Sequence, residues 1–163
     1  MILLTGFEPW DEFKSNPSGE VAKALGGEVL PVDYRRADAL LRRLLERRPS
    51  AVVLTGLAAK RTSIELETRA YNEKHTGRPI DRNGPSFRKS TLPLAPLLRR
   101  LRRAGLPAAI SHDAGRFLCN YVFFVARGLL GDVPCGFVHL PPADVLPIRA
   151  QIRALRIILK GLA

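Results

Sequence analysis

The sequence predicts an α/β fold: a three-layer α/β/α sandwich around a mostly parallel or mixed sheet. Segments of strand character and of helical character alternate along all 163 residues. The strand segments, such as Met1–Thr5 and Ala51–Thr55, are unbroken apolar runs, which suit strands covered on both faces. The helical segments carry one apolar stripe, as in Ala37, Leu40, Leu41, Leu44 and Leu45, with arginines on the other side. At 46% hydrophobic and 25% charged, the chain has the composition of a globular protein with a substantial core. Its length predicts a single domain spanning residues 1–163.

Each element has a local cause. The strand from Met1 to Thr5 ends at Gly6. Asn16-Pro17 starts a helix, with Asn as cap and Pro in the first turn, and Gly26-Gly27 stops it. Glu28–Val32 is a second strand, and a helix follows from Arg35 until Pro49-Ser50. Ala51–Thr55 is the third strand. Ser63–Tyr71 reads as a strand and Gly77–Gly84 as a loop in the polar middle of the chain. A helix through Leu94, Leu97, Leu98 and Leu101 reaches a Gly105 cap, then Ala108–Ser111 is a strand. Asp113-Ala114-Gly115 turns the chain into an apolar helix over Phe117–Leu129. Gly136–Leu140 is the last strand, ended by Pro141-Pro142, and Ile148, Ile152, Leu155 and Leu159 mark the final helix.

Charge and cysteines exclude several classes. Net charge is +11, and residues 82–163 hold 13 basic side chains against Asp113, Asp132 and Asp144 alone, a net of +10. Such asymmetry suits a nucleic-acid surface. The arginines fall mainly on polar helix faces (Arg99, Arg100, Arg102, Arg103, then Arg149, Arg153, Arg156), where a solvated face is expected. No nucleic-acid-binding signature accompanies them, so nucleic acid is not the expected partner. No apolar run approaches the ~20 residues of a membrane span. Met1-Ile2-Leu3-Leu4 meets Thr5-Gly6 without the basic start of a secretory signal, so a cytoplasmic location is expected. The two cysteines, Cys119 and Cys135, are then expected to be reduced, and without a CxxC pair no metal site or other cofactor is expected.

In such a sheet, ligands bind beyond the carboxyl ends of strands. Four places qualify: Thr5-Gly6-Phe7, Thr55-Gly56, Ser111-His112-Asp113 and His139-Leu140-Pro141. Cys119 lies just inside a helix start, where the helix N-terminus favours thiolate. A Cys there and a His at a strand end suggest a cysteine hydrolase. By residue type alone Cys119 also reads as a packed thiol, and His112 is as good a base as His139. Cys135 reads as packing.

The order of segments goes further. Thr5-Gly6-Phe7-Glu8-Pro9-Trp10, Asn16-Pro17-Ser18, Gly56-Leu57-Ala58 and Arg61-Thr62-Ser63-Ile64 occur in turn. They are followed by Glu67, Ala70 and Asn72, then Ser111 through Tyr121, then Gly136-Phe137-Val138-His139-Leu140-Pro141. This series resembles the pyroglutamyl peptidase I (pyrrolidone-carboxylate peptidase) family of cysteine peptidases over nearly the whole chain. The resemblance implies a triad of Cys119, His139 and Glu67, with the Cys119 N–H and Arg78 as oxyanion donors. It implies Phe7, Trp10, Leu57, Phe117 and Leu118 around an uncharged lactam ring, N-pyroglutamyl peptides as substrates, and a homo-oligomer, a tetramer in the family.

This sequence departs from the family at Leu57, where a glutamine is usual, and at Ala59-Lys60, where two glycines are usual and side chains are expected beside the site. Trp10 is larger than the usual phenylalanine, and Arg78 lies one residue further from Glu67. These changes bear on substrate fit more than on triad chemistry. Two other functions remain in view: a relative with an altered pocket that hydrolyses or binds another small amide, and a basic nucleic-acid-binding module.

Overall fold

The computed structural model describes residues 1–163. Eight strands and five helices follow in chain order: β1 (Ile2–Phe7), α1 (Pro17–Ala24), β2 (Glu28–Leu30), α2 (Tyr34–Leu45), β3 (Ala51–Leu57), β4 (Ile64–Glu67), β5 (Arg69–Tyr71), β6 (Phe87–Lys89), α3 (Leu94–Arg103), β7 (Ala108–Ser111), α4 (Leu118–Leu129), β8 (Cys135–Leu140) and α5 (Ile148–Lys160). Six strands form one mixed sheet in the order β2-β1-β3-β8-β4-β7. The first four of these are mutually parallel, β4 runs against β8, and β7 follows β4.

Alternation along the central strands builds the layers. Leu3, Val52, Leu54 and Phe137 point to one face, where α2 and α4 pack through Leu41, Leu44, Val122 and Phe123. Leu4, Val53, Val138 and Leu140 point to the other, covered by α1, α3 and α5 through Val21, Leu97, Leu101 and Leu155. All seven residues of β3 are buried, as a central strand between two helical layers requires. The three-layer expectation therefore holds.

Local signals set most boundaries. The Asn16 Oδ1 accepts the Ser18 N–H at 3.0 Å with Pro17 opening α1, and Gly26 takes φ 73° after its end. Asp33 caps α2 by accepting the Arg36 N–H at 2.8 Å. Gly105, at φ 74°, ends α3. The expected strand over Ser63–Tyr71 is instead two. β4 belongs to the main sheet, and after Thr68 the chain leaves it as β5 to pair with β6 in a separate antiparallel ribbon. Thr68 makes the joint: its N–H donates to Ser111 at 2.8 Å and its carbonyl accepts from Ser90 at 2.9 Å.

Candidate active site

The carboxyl ends of β1, β3 and β8 meet at one end of the sheet. Beyond β1, residues 8–16 loop outward and are tied back by a small buried network. The Phe7 N–H donates to Ser18 Oγ at 3.0 Å, the Ser18 hydroxyl to Asn16 Oδ1 at 2.8 Å, and Asn16 Nδ2 to the Glu8 carbonyl at 3.1 Å. Gly6 permits this closeness, because a Cβ there would run into the Ser18 carbonyl. The network holds Trp10 over the site.

Cys119 is the second residue of α4. Its N–H is among the first-turn donors that have no intrahelical partner, so the electropositive end of the helix surrounds the thiol. The sulfur rests against the backbone of β3. A Cβ on Gly56 would lie 2.5 Å from Cys119 Sγ and 2.9 Å from Phe137 Cζ. Gly56 is in register with His139 on β8, and that pairing brings thiol and imidazole together. His139 Nδ1 lies 2.7 Å from Glu67 Oε1, with the carboxylate wholly buried. Nδ1 being committed to the carboxylate, Nε2 faces the sulfur. Burial works against the imidazolium, but the hydrogen bonds to Cys119 and Glu67 outweigh it and raise His139 from 6.5 to about 9. This environment favours the imidazolium, the form that stabilises a thiolate beside it.

The other two candidates lie apart. His112 is exposed, with Nδ1 2.9 Å from the Thr68 hydroxyl. β7 runs opposite to β8, and although Ala114 just beyond it lines the cavity, His112 itself is turned to the surface, contrary to the expectation that made it as good a base as His139. Cys135 is buried at the start of β8, and burial pushes its thiol up to about 12. It is packing, as expected.

A cavity of about 570 Å³ opens beside Cys119 and His139. Phe7, Trp10, Leu57, Phe117 and Leu118 all line it, and most of its wall is apolar. Arg78 does not line it. The guanidinium belongs to an exposed turn in which the Lys74 N–H reaches the Arg78 carbonyl at 2.8 Å and Gly77 has φ 79°. Ala59 and Lys60 are also exposed and outside the lining, so no side chain of theirs crowds the site. Val32, Asp33 and Tyr34 line the cavity without having been singled out. They follow the carboxyl end of β2, so the rule that marked β1 and β3 could have found them.

Thiol, imidazole and carboxylate aligned at the carboxyl ends of a three-layer α/β/α sandwich are the arrangement of a cysteine peptidase. The family description of pyroglutamyl peptidase matches residues 1–153. The chain belongs to the pyroglutamyl peptidase family.

Individual members are similar over most of the chain. The pyrrolidone-carboxylate peptidase of Deinococcus radiodurans is 36% identical over 90% of this chain and 84% of its own. That of Chromobacterium violaceum is 39% identical over 86% of this chain and 77% of its own. Among solved structures, pyrrolidone carboxyl peptidase from Thermus thermophilus superposes with a TM-score of 0.91 at 35% identity, covering 99% of this chain and 100% of that one. Pyroglutamyl peptidase I from Bacillus amyloliquefaciens also gives 0.91, at 27% identity over 98% and 93% of the two chains.

Proposed function

We propose that this protein is a cysteine exopeptidase that hydrolyses the bond after an N-terminal pyroglutamyl residue and releases pyroglutamate. The observation that carries the reading is the buried 2.7 Å contact between His139 Nδ1 and Glu67 Oε1, with Cys119 on the other side of the ring. His139 takes the Cys119 thiol proton, and the Sγ thiolate attacks the carbonyl carbon of the pyroglutamyl residue, whose oxygen takes the negative charge. The Cys119 N–H at the start of α4 stabilises that oxygen. His139 then protonates the departing amine as the C–N bond breaks, leaving a pyroglutamyl thioester. Water attacks the thioester, His139 takes its proton, and the C–S bond breaks to release pyroglutamate and the free thiol. Glu67 keeps the imidazole oriented and stabilises its cation.

The apolar cavity suits an uncharged lactam, which needs shape and a few polar contacts. Arg78 is outside the lining, so the oxyanion is left to the Cys119 N–H, which corrects the expectation of Arg78 as a second donor. Release of amine from a pyroglutamyl-arylamide tests the function. Wild-type protein is expected to turn it over and Cys119→Ser to fail, and equal rates in the two would refute the reading. Assembly as a homo-oligomer rests on the family resemblance, and a cytoplasmic location on the absence of a signal pattern at Met1–Gly6.

A further inference from the structure

From the rim of the cavity a run of ring contacts leads away from the nucleophile. Phe117, two residues before Cys119, keeps 68% of its surface exposed. His75 stacks on it, with centroids 5.3 Å apart and 15° between the planes. The Tyr34 hydroxyl lies 3.2 Å from His75 Nδ1, and Tyr121 meets Tyr34 edge-on at 5.2 Å. Tyr34 is a wall shared by two cavities: the one holding Cys119, and a second of about 440 Å³ between α2, α4 and the turn after β5.

The second cavity is charged where the first is apolar. Arg35, Asp38, Lys74 and His75 line it together with the two tyrosines. Asp38 is already satisfied, by Arg42 at 2.8 Å and by the Tyr121 hydroxyl at 3.2 Å. Lys74 Nζ stands 5.9 Å from the Tyr121 ring centroid, and neither Lys74 nor Arg35 makes an ion pair. Two cations without a carboxylate partner therefore stand at the far end of the aromatic run.

With the lactam ring in the first cavity, the rest of a peptide substrate has to leave over the rim. An extended chain advances about 3.5 Å per residue, so a few residues bridge from one cavity to the next. We propose that the second cavity is a subsite for the leaving peptide, in which Lys74 and Arg35 bind a carboxylate. That carboxylate is the C-terminus of a short peptide or an acidic side chain near the scissile bond. The inference rests on the pyroglutamyl reading above and adds a substrate class to it: short or acidic N-pyroglutamyl peptides.

The test compares kcat/KM for pyroglutamyl peptides with one, two or three following alanines, each as free acid and as C-terminal amide. Pyroglutamyl-Glu-amide against pyroglutamyl-Gln-amide tests the side-chain source. At low salt the acid is expected to be favoured about two- to fivefold in at least one of the two comparisons, the range of a solvent-exposed ion pair. The ratio should fall towards one in Lys74→Gln/Arg35→Gln and at high salt. Equal kcat/KM for acid and amide at every length, and for the Glu and Gln pair, would overturn the inference. A pyroglutamyl-arylamide, which has no carboxylate, runs alongside. If it is cleaved and no acid preference appears, the subsite alone is refuted; if it is not cleaved, the pyroglutamyl reading falls and the subsite with it.

Discussion

At Gly56 one missing methyl group decides how closely the Cys119 sulfur approaches His139. A Cβ there would stand 2.5 Å from Cys119 Sγ, so Gly56→Ala must push the sulfur away from His139. Misplacing a reacting group by about 1 Å costs on the order of a hundredfold. Gly56→Ala should therefore lower kcat by about that factor while KM changes little and the circular dichroism stays that of the wild type. Wild-type kcat in this variant would show that the sulfur has another place to sit. The neighbouring Leu57 bears on specificity instead. It lines the cavity with a side chain that cannot bond the lactam N–H or C=O, and sites that do make such bonds reject analogues lacking them by large factors. Leu57→Gln should raise kcat/KM for a pyroglutamyl-arylamide and improve rejection of the prolyl analogue. An unchanged ratio between the two would make position 57 a spectator.

Among the elements, β8, β4 and the start of α4 supply the three side chains of the proposed triad, and β7 supplies none of them. The two histidines are separated by their surroundings: His139 lies between Cys119 and Glu67, whereas His112 is at the surface beside the Thr68 hydroxyl. His139→Ala is expected to lower kcat by about a hundredfold or more, the scale of lost general acid–base catalysis, and His112→Ala to have a mild effect. The reverse pattern would assign the base to His112. Most elements were legible in the sequence because their causes are local, such as the Asn16-Pro17 cap, the Gly105 stop and the apolar run of β3. Strand direction was not legible, since nothing in Ile64–Glu67 records that β4 runs antiparallel to β8 and that β7 follows it. The short β6 went unseen because Phe87-Arg88-Lys89 is half-polar and pairs only with β5. Residue types left Cys119 and the choice of histidine open, and only the ordered series of motifs chose between them. The Asn16–Ser18–Phe7 network, the Gly56 contact and the lining by Tyr34 depend on tertiary packing that no single segment encodes.

For the whole molecule, the raised His139 couples the site to stability. Its folded value of about 9 lies above the ordinary 6.5, so its contribution is fully present below 6.5 and is lost as pH rises through about 9. The thermal midpoint of the wild type should fall more between pH 7 and pH 10 than that of Cys119→Ser, which lacks one of the two groups that hold the proton. The same titration removes the general acid, so kcat/KM should decline as pH rises through about 9. Parallel midpoints in the two proteins would mean that the pair is not coupled as described. The +11 charge has a different place in the molecule. The arginines of α3 and α5 are exposed on one helical layer, and two of them, Arg102 and Arg153, donate to the Ala108 and Ala104 carbonyls. That is a solvated helical face, and family membership does not favour a nucleic-acid-binding module.

The central claim is that Cys119 becomes acylated, and trapping the acyl group tests it most directly. Wild-type protein mixed with a pyroglutamyl ester, quenched in acid during turnover and digested, is analysed by mass spectrometry, with Cys135→Ser treated in parallel. The expected result is one pyroglutamyl group on the peptide containing Cys119 in both proteins, and none on Cys135, whose buried thiol is held up near 12. Turnover with no acyl group on Cys119, or with the group on Cys135, would contradict it.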